Sequence, residues 1–348
     1  MTAGQLNTSS PGQEESAPSL TIVVPCYNEE AVLPETTKRL LELIEQFESS
    51  GRISEGKVCF VDDGSVDATW RMIEDFSAKD RHVTGIKLSR NFGHQSALLG
   101  GLLNASGDLL ISVDADLQDD LNAMEGMLAA HAGGADIVYG VRRERTKDTY
   151  FKRTSAETYY SLLRKLGVKL IHNHADYRLL SRRVVEVLRR YEERNIFLRG
   201  LIPQLGFQSA IVYYDRRERF AGVSKYPLSK MIGLAIEGIT SFSDIPLKII
   251  TILGLLISAG SFIMALWTLW IRITKPEAVP GWASTVVPMY MLGGVQLLCM
   301  GVIGQYLVKI YYETKHRPRF VVEKTAETGG ANSFAGHSSH ARADASRT

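Results

Sequence analysis

The chain has 348 residues, with 40 Lys and Arg against 38 Asp and Glu and a formal net charge of +2. That balance carries no bias toward a polyanionic partner, so nucleic acid is not expected. Three cysteines far apart in sequence (Cys26, Cys59 and Cys299) give no disulfide framework and fit a reducing compartment.

Residues 1–18 are Ser-, Gly-, Gln-, Thr- and Glu-rich and predict a disordered N-terminal tail. They hold neither a basic start nor an apolar core, so no signal peptide is read there and the following domain is expected in the cytoplasm. From Leu20 to about Gly140, short β-branched runs alternate with helical stretches. Strands are predicted at Leu20–Val24, Lys57–Val61, Val83–Leu88, Leu109–Val113 and Asp136–Tyr139. Helices are predicted at Ala31–Glu48, Ala68–Ala78, Gln95–Ala105 and Asn122–Ala132. Such alternation implies an α/β fold, a mostly parallel sheet with helices on both faces. A basic helical stretch (Arg142–Leu170) follows, then Asp176–Leu180, a helix near Arg183–Tyr191 and the apolar segment Ile196–Phe207. A strand at Ser209–Tyr214 leads into a Gly- and Lys-bearing loop, Ala221–Tyr226, which closes a domain of residues 19–226.

Beyond it, Leu228, Met231, Ile232, Ala235, Ile236, Ile239 and Phe242 recur at helical spacing near Lys225 and Lys230. This predicts an amphipathic helix over 227–245 lying in a membrane interface. Ile249–Ile271 and Ala278–Val308 then contain no charged residue. A bilayer core of about 30 Å needs roughly 20 apolar residues in a helix, so spans are expected at 246–272 and 286–310. Lys and Arg gather before the first run and after the second, while the stretch between has only Arg272 and Lys275, balanced in part by Glu277. The positive-inside rule therefore puts both flanks in the cytoplasm and the loop 273–285 outside. Gly254 and Ser258 form a small-x-x-x-small pair that would let spans pack as a homo-oligomer. The tail, 311–348, is expected to be largely disordered.

Chemistry concentrates at the ends of the predicted strands. Leu109–Val113 runs into Asp114-Ala115-Asp116-Leu117-Gln118, two carboxylates two residues apart with an amide two further on. In α/β sheets ligands bind beyond the carboxyl ends of strands, and hard oxygen donors suit Mg²⁺ or Mn²⁺ shared with a phosphate. The first strand opens into Val24-Pro25-Cys26-Tyr27-Asn28-Glu29-Glu30 and the second into Asp62-Asp63-Gly64-Ser65-Val66-Asp67. Gly64 suits a tight turn, and Ser65 or Asp67 is placed to cap the next helix. No Gly-x-Gly-x-x-Gly or Walker motif follows the first strand, which removes dinucleotide and P-loop readings. His94, His172 and His174 lack a spaced second cluster, so zinc is not expected.

In this order, the segments around Pro25–Glu29, Asp62–Ser65 and Asp114–Gln118 resemble family 2 glycosyltransferases of the GT-A fold, a Rossmann-like α/β architecture. Arg90–His94, Arg194–Gly200, Ala221–Tyr226 and Glu237–Ser243, followed by two spans, resemble the polyisoprenyl-phosphate hexosyltransferases, and more narrowly the bacterial undecaprenyl-phosphate (bactoprenol) glucosyltransferases. The resemblance implies that Pro25, Tyr27, Glu29 and Asp62 hold the nucleotide with Asp114. Asp114, Asp116 and Gln118 would hold the metal, and Arg142, Arg153, Ser155 and Lys225 would meet phosphate oxygens. Cations are needed there, because each unit-charge pair at 4 Å is worth about 4 kcal/mol at an effective dielectric of 20. Asp176 matches an aspartate near the acceptor, with Ala175 where relatives usually carry Gly. A phosphate acceptor is already mostly ionised at neutral pH, which favours an orienting role for Asp176, with base work left open, in a catalytic set of Asp116, Asp176 and Lys225.

The implied reaction is inverting transfer of a hexose from a UDP-sugar to a polyprenyl phosphate at the cytoplasmic face of a bacterial inner membrane, for cell-surface glycan modification. Glucose leads among the donors; mannose, N-acetylhexosamine and formamido-arabinose stay open. A processive polysaccharide synthase would carry Gln-x-x-Arg-Trp and more spans. A non-catalytic scaffold or flippase component would not need three acidic strand ends.

Overall fold

The computed structural model describes residues 17–143, 174–193, 198–215, 245–274, 282–328 and 332–333. Its centre is β1 (Leu20–Cys26), whose seven residues are all buried. Strands β2 (Gly56–Asp62), β3 (Val83–Leu88) and β4 (Leu109–Ser112) run parallel to it, with β1 between β2 and β4. Pro25 lacks an N–H and would break an inner ladder. It is tolerated because pairing with β4 stops at Val23↔Ser112, before the proline is reached.

The first two intervening helices are amphipathic. In α1 (Leu33–Ser49), Leu33, Leu40, Leu43, Ile44 and Phe47 fall on one buried stripe, each worth about 1.5–3 kcal/mol of apolar burial. Together with α2 (Thr69–Lys79) and α4 (Ala123–Ala132), α1 covers one face of the sheet. The opposite face packs under α3 (His94–Asn104) and α5 (Arg182–Arg189). Gly101 of α3 sits so close to the sheet that a Cβ there would lie 2.3 Å from Val23.

Among the described residues the sheet has nine strands in the order β7-β5-β6-β4-β1-β2-β3-β8-β9. Here β5 is Ile137–Arg142, β6 His174–Ser181, β7 Ser209–Tyr214, β8 Val322–Ala326 and β9 Asn332–Ser333. The expected parallel order holds from β1 to β4, but the sheet as a whole is mixed. β6 runs antiparallel to both β4 and β5, and β8 runs antiparallel to β3. Periodicity carries no information about strand direction, which the connections decide.

The apolar segment after residue 197 forms a short helix, α6 (Leu198–Leu201), and a 3₁₀ turn at Ile202–Leu205 rather than a continuous helix. Two long helices follow, α7 (Ile245–Thr274) and α8 (Trp282–Glu313). Both leave large apolar side chains exposed, among them Leu255, Trp267, Trp270, Met289, Leu297 and Met300. One stretch of the described residues, Val295–Glu313, is long and apolar enough to cross a membrane; Leu247–Ile257 of α7 is a shorter apolar segment.

The tail beyond α8 departs from the disorder expected of it. Its strand β8 pairs along β3, and Arg319 Nη1 donates to the Tyr191 carbonyl at 2.6 Å. Phe320 lies against Gly100 of α3. The segment orders because β3 would otherwise present an unpaired edge, a reason invisible in its own composition. The interfacial helix expected at 227–245, apart from its last residue, and most of the loop 273–285 lie outside the described residues.

Candidate active site

Strands β1 to β5 and β7 share one direction, so their carboxyl ends gather at one margin of the sheet. β6 starts at that margin because it is antiparallel. Its register pairs Ser112 with Arg178. Just past that last pair, Asp114 leaves β4 near Asp176 at the start of β6, and His94 Nε2 lies within 3.6 Å of both carboxylates. Residues 62 positions apart in sequence thereby enter one site.

The loops after β1 and β2 are laced together. Asn28 N–H donates to Ser65 Oγ at 2.9 Å, and Val66 N–H donates to Asn28 Oδ1 at 2.9 Å. Glu29 N–H donates to Thr69 Oγ1, and Ala68 N–H to Glu30 Oε2, both at 2.9 Å. Ser65 thus braces the neighbouring loop instead of capping α2, while Asp67 Oδ1 accepts from Thr69 N–H at 3.0 Å. Tyr27 remains 45% exposed at the mouth. Asp62 is fully buried; Oδ1 accepts from Ser65 N–H at 3.2 Å, and Oδ2 has no partner among the described residues. Burial pushes its pKa up, against the hydrogen bonds from Ser65. An orphaned buried acceptor of this kind suits an N–H or O–H of a ligand.

Asp63 points the other way. Its carboxylate accepts from Phe92 N–H at 2.7 Å and Gly93 N–H at 2.9 Å, fixing the loop that begins α3. Gly64, at φ +70, lets that loop approach: a Cβ there would lie 2.5 Å from the Arg90 carbonyl carbon. The result presents His94 to the turn that follows β4. His94 Nε2 lies 3.6 Å from Asp114 Oδ1 and 3.4 Å from Asp176 Oδ2.

The turn after β4 closes on itself. Asp116 Oδ1 accepts from Gln118 N–H at 3.2 Å, and Leu117 takes φ +55. Burial pushes Asp114 up to about 6; His94 opposes this, and the carboxylates of Asp119, Asp176 and Asp116 add to it. Asp176 behaves oppositely. Burial works against its charge, but His94, Arg178 and Arg199 hold its carboxyl well below the usual range. Arg178 is fully buried and donates to Asp176 Oδ1. Arg199 donates from Nε to Oδ1 at 3.2 Å and from Nη2 to Oδ2 at 3.0 Å, and Gln95 Nε2 donates to Oδ2 at 3.1 Å. A side of the site unforeseen in sequence lies beyond Gln118. Asp119 Oδ1 accepts from Tyr214 Oη at 2.6 Å and Arg142 Nη2 at 3.0 Å.

Comparison with known proteins decides what this margin belongs to. The model of glycosyl transferase family 2 matches residues 21–189. An uncharacterized glycosyltransferase of Bacillus subtilis, YkoT, is 47% identical over 313 residues, 89% of this chain and 93% of that protein. The bactoprenol glucosyl transferase of Shigella phage SfV is 39% identical over 305 residues, 87% and 98% of the two chains. The chain belongs to glycosyltransferase family 2. A more distant structure, glucosyl-3-phosphoglycerate synthase from Mycobacterium tuberculosis with Mn²⁺, uridine-diphosphate and phosphoglyceric acid, superposes at a TM-score of 0.44 with 17% identity. The match covers 67% of this chain and 82% of that one.

In this glycosyltransferase the structure brings together Pro25, Tyr27, Glu29, Asp62, Asp114, Asp116, Gln118, Arg142 and Asp176 at one sheet margin. Arg153, Ser155 and Lys225 lie outside the described residues. Gln118 is 3% exposed. Sequence reasoning assigned no role to Gln95, Arg178, Arg199, Asp119 or Tyr214. The signal available for Arg178 and Arg199 was a basic residue inside an apolar run, which costs free energy unless paired. Cys26 is no nucleophile, since burial pushes its thiol well up.

Among the described residues, no three His, Cys, Asp or Glu side chains converge on a metal cage. Mg²⁺ seldom uses one; it takes one or two carboxylates and completes its shell with water and substrate phosphates. Asp114, a carboxylate whose charge burial disfavours, and Asp116 beside it fit that role.

Proposed function

We propose that this glycosyltransferase transfers a hexose, glucose before other sugars, from a UDP-sugar to undecaprenyl phosphate at the cytoplasmic face of the membrane. The observation that carries the reading is the placing of the Asp114–Asp116 turn beside a cation-ringed Asp176, with His94 between the two carboxylates. That turn presents a carboxylate pair of the type that suits a cation and diphosphate, beside a second, positively lined flank. Relatives named bactoprenol glucosyl transferase support glucose and the lipid acceptor.

Asp62, with its unpartnered oxygen, and Tyr27, exposed at the mouth, would receive the nucleotide, assisted by Pro25 and Glu29. Asp114, Asp116 and Gln118 would hold Mg²⁺ or Mn²⁺, which when bound would neutralise charge on the departing diphosphate. Arg142, braced by Asp119 and Tyr214, would add a fixed positive charge, with Arg153, Ser155 and Lys225 completing the phosphate contacts. The acceptor oxygen, ionised before it arrives, attacks the anomeric carbon on the face opposite the leaving UDP and inverts it. Chemistry of this kind relies on positioning and preorganised charge.

Helices α7 and α8, with exposed apolar surfaces and charge-free runs at Ile249–Ile271 and Ala278–Val308, would cross the bilayer twice and keep the acceptor headgroup near the site. The deciding assay incubates full-length protein in detergent with undecaprenyl phosphate and radiolabelled UDP-glucose, GDP-mannose, UDP-N-acetylglucosamine or UDP-formamido-arabinose. Metal-dependent label in the lipid fraction from UDP-glucose is expected. Label from another donor alone would replace glucose, and none from any donor would overturn the lipid-acceptor reading.

A further inference from the structure

His94 has no part in the reaction described so far, yet its ring reaches both flanks of the site. We propose that His94 is a positioning residue for sugar transfer: its Nε2–H, shared between Asp114 and Asp176, holds the cation-binding turn and the start of β6 in one geometry. The proposal rests on the donor and acceptor reading above and deepens it.

Three observations support it. First, Nε2 lies 3.6 Å from Asp114 Oδ1 and 3.4 Å from Asp176 Oδ2. Ionised carboxylates only accept hydrogen bonds, so Nε2 is a nitrogen that carries a proton. Both distances exceed the roughly 2.7–2.9 Å of a committed charge-assisted bond. The N–H is therefore divided between two acceptors instead of given to one.

Second, the residues flanking His94 are anchored in different parts of the fold. Gly93 N–H donates to Asp63 Oδ2 at 2.9 Å, which ties the loop to the end of β2. Gln95 Nε2 donates to Asp176 Oδ2 at 3.1 Å, and Gln95 Oε1 accepts from Leu198 N–H at 3.2 Å. Those bonds tie the start of α3 to β6 and α6. A helix start gripped on both sides leaves the ring little freedom.

Third, the two carboxylates are held unequally. Asp176 receives donors from Arg178, Arg199 and Gln95, and Ser112 Oγ of β4 donates to its carbonyl. Asp114 instead feels the like charges of Asp119, Asp176 and Asp116, and His94 opposes them. Without the ring, that repulsion would drive the turn away from β6. Once Asp114 engages a cation, the His94 N–H is left to Asp176, so the ring registers whether the donor side is loaded.

Two measurements test this in the full-length protein in detergent. With ¹⁵N-labelled histidine, the His94 signals are those missing from His94→Gln. In wild type, Nε2 should be proton-bearing. Mg²⁺ with UDP should move its shift, whereas UDP with EDTA should not. An unprotonated Nε2 would overturn the proposal, and so would a signal unmoved while Mg²⁺–UDP raises the melting temperature. A wild type whose melting temperature ignores Mg²⁺–UDP would overturn it as well. If the signal moves as expected but no donor yields labelled lipid, the reaction assignment fails and the His94 link stands.

His94→Ala should lower kcat about 10²-fold, the loss expected of a displacement of about 1 Å, with the KM of each substrate within about threefold. His94→Gln, whose amide N–H can occupy the Nε2 place, should recover about 10-fold of that loss. A rise in melting temperature with Mg²⁺–UDP equal to wild type certifies the fold of each variant. An unchanged kcat, a loss confined to the KM of one substrate, or a Gln variant no better than Ala would each refute the positioning role.

Discussion

Asp114 and Asp116 sit on a turn closed by the Gln118 N–H, so their carboxylates are aimed before any cation arrives. Replacing Asp116 by Asn keeps the shape and removes one charge. Transfer should fall about 10²–10³-fold, the usual loss for a preorganised charge-stabilising group, with little change in melting temperature; Mn²⁺ titration of initial rates would measure it. Asp176 affects stability instead. Its folded pKa is depressed, so its contribution is present above the ordinary carboxylate pKa near 4 and is lost as pH falls through the folded value. Wild type should therefore lose stability steeply below about pH 4 in urea titrations. Asp176→Asn should flatten that dependence and cost about 3–5 kcal/mol at pH 7, because Arg178 is left buried without its partner. An Asn variant as stable as wild type at neutral pH would refute the clamp.

At the scale of elements, the site depends on loops that hold one another. Asp63 grips the start of α3, and Gly64 allows the close approach. Gly64→Ala brings both a left-handed φ and a clash with Arg90 backbone, so a loss of about 1–3 kcal/mol is expected. Because His94 rides on that loop, activity should fall more than stability explains; comparing kcat at 10 °C with the denaturant midpoint tests this. A drop in stability with full activity per folded molecule would show that the loop carries no catalytic geometry. The tail strand β8 is the other such element. It covers the β3 edge and ties the end of α8 to the sheet through Arg319 and Phe320.

For the whole molecule, an α/β body continues into two long apolar helices. If both cross the bilayer, an alkaline carbonate wash should leave the protein in the membrane fraction. Ala278→Cys should then react with an impermeant maleimide added to spheroplasts, while Cys26, buried beneath the site, should not. Extraction by carbonate, or labelling of residue 278 from the inner face alone, would contradict a two-span hairpin.

The sequence by itself determined the strand–helix alternation, the Ser209–Tyr214 strand and the acidic strand ends, because these depend on local periodicity and on residue types within a few positions. It also carried the family, through motifs whose spacing survives without a fold. Only the tertiary structure decided that β6 is antiparallel, that Asp176 therefore lies near Asp114, and that Gln95, Arg178 and Arg199 converge on it. It also converted part of a polar tail into an edge strand. Direction, register and pairing arise from contacts between residues far apart in the chain, and a charged side chain declares its partner only once burial makes being unpaired unaffordable.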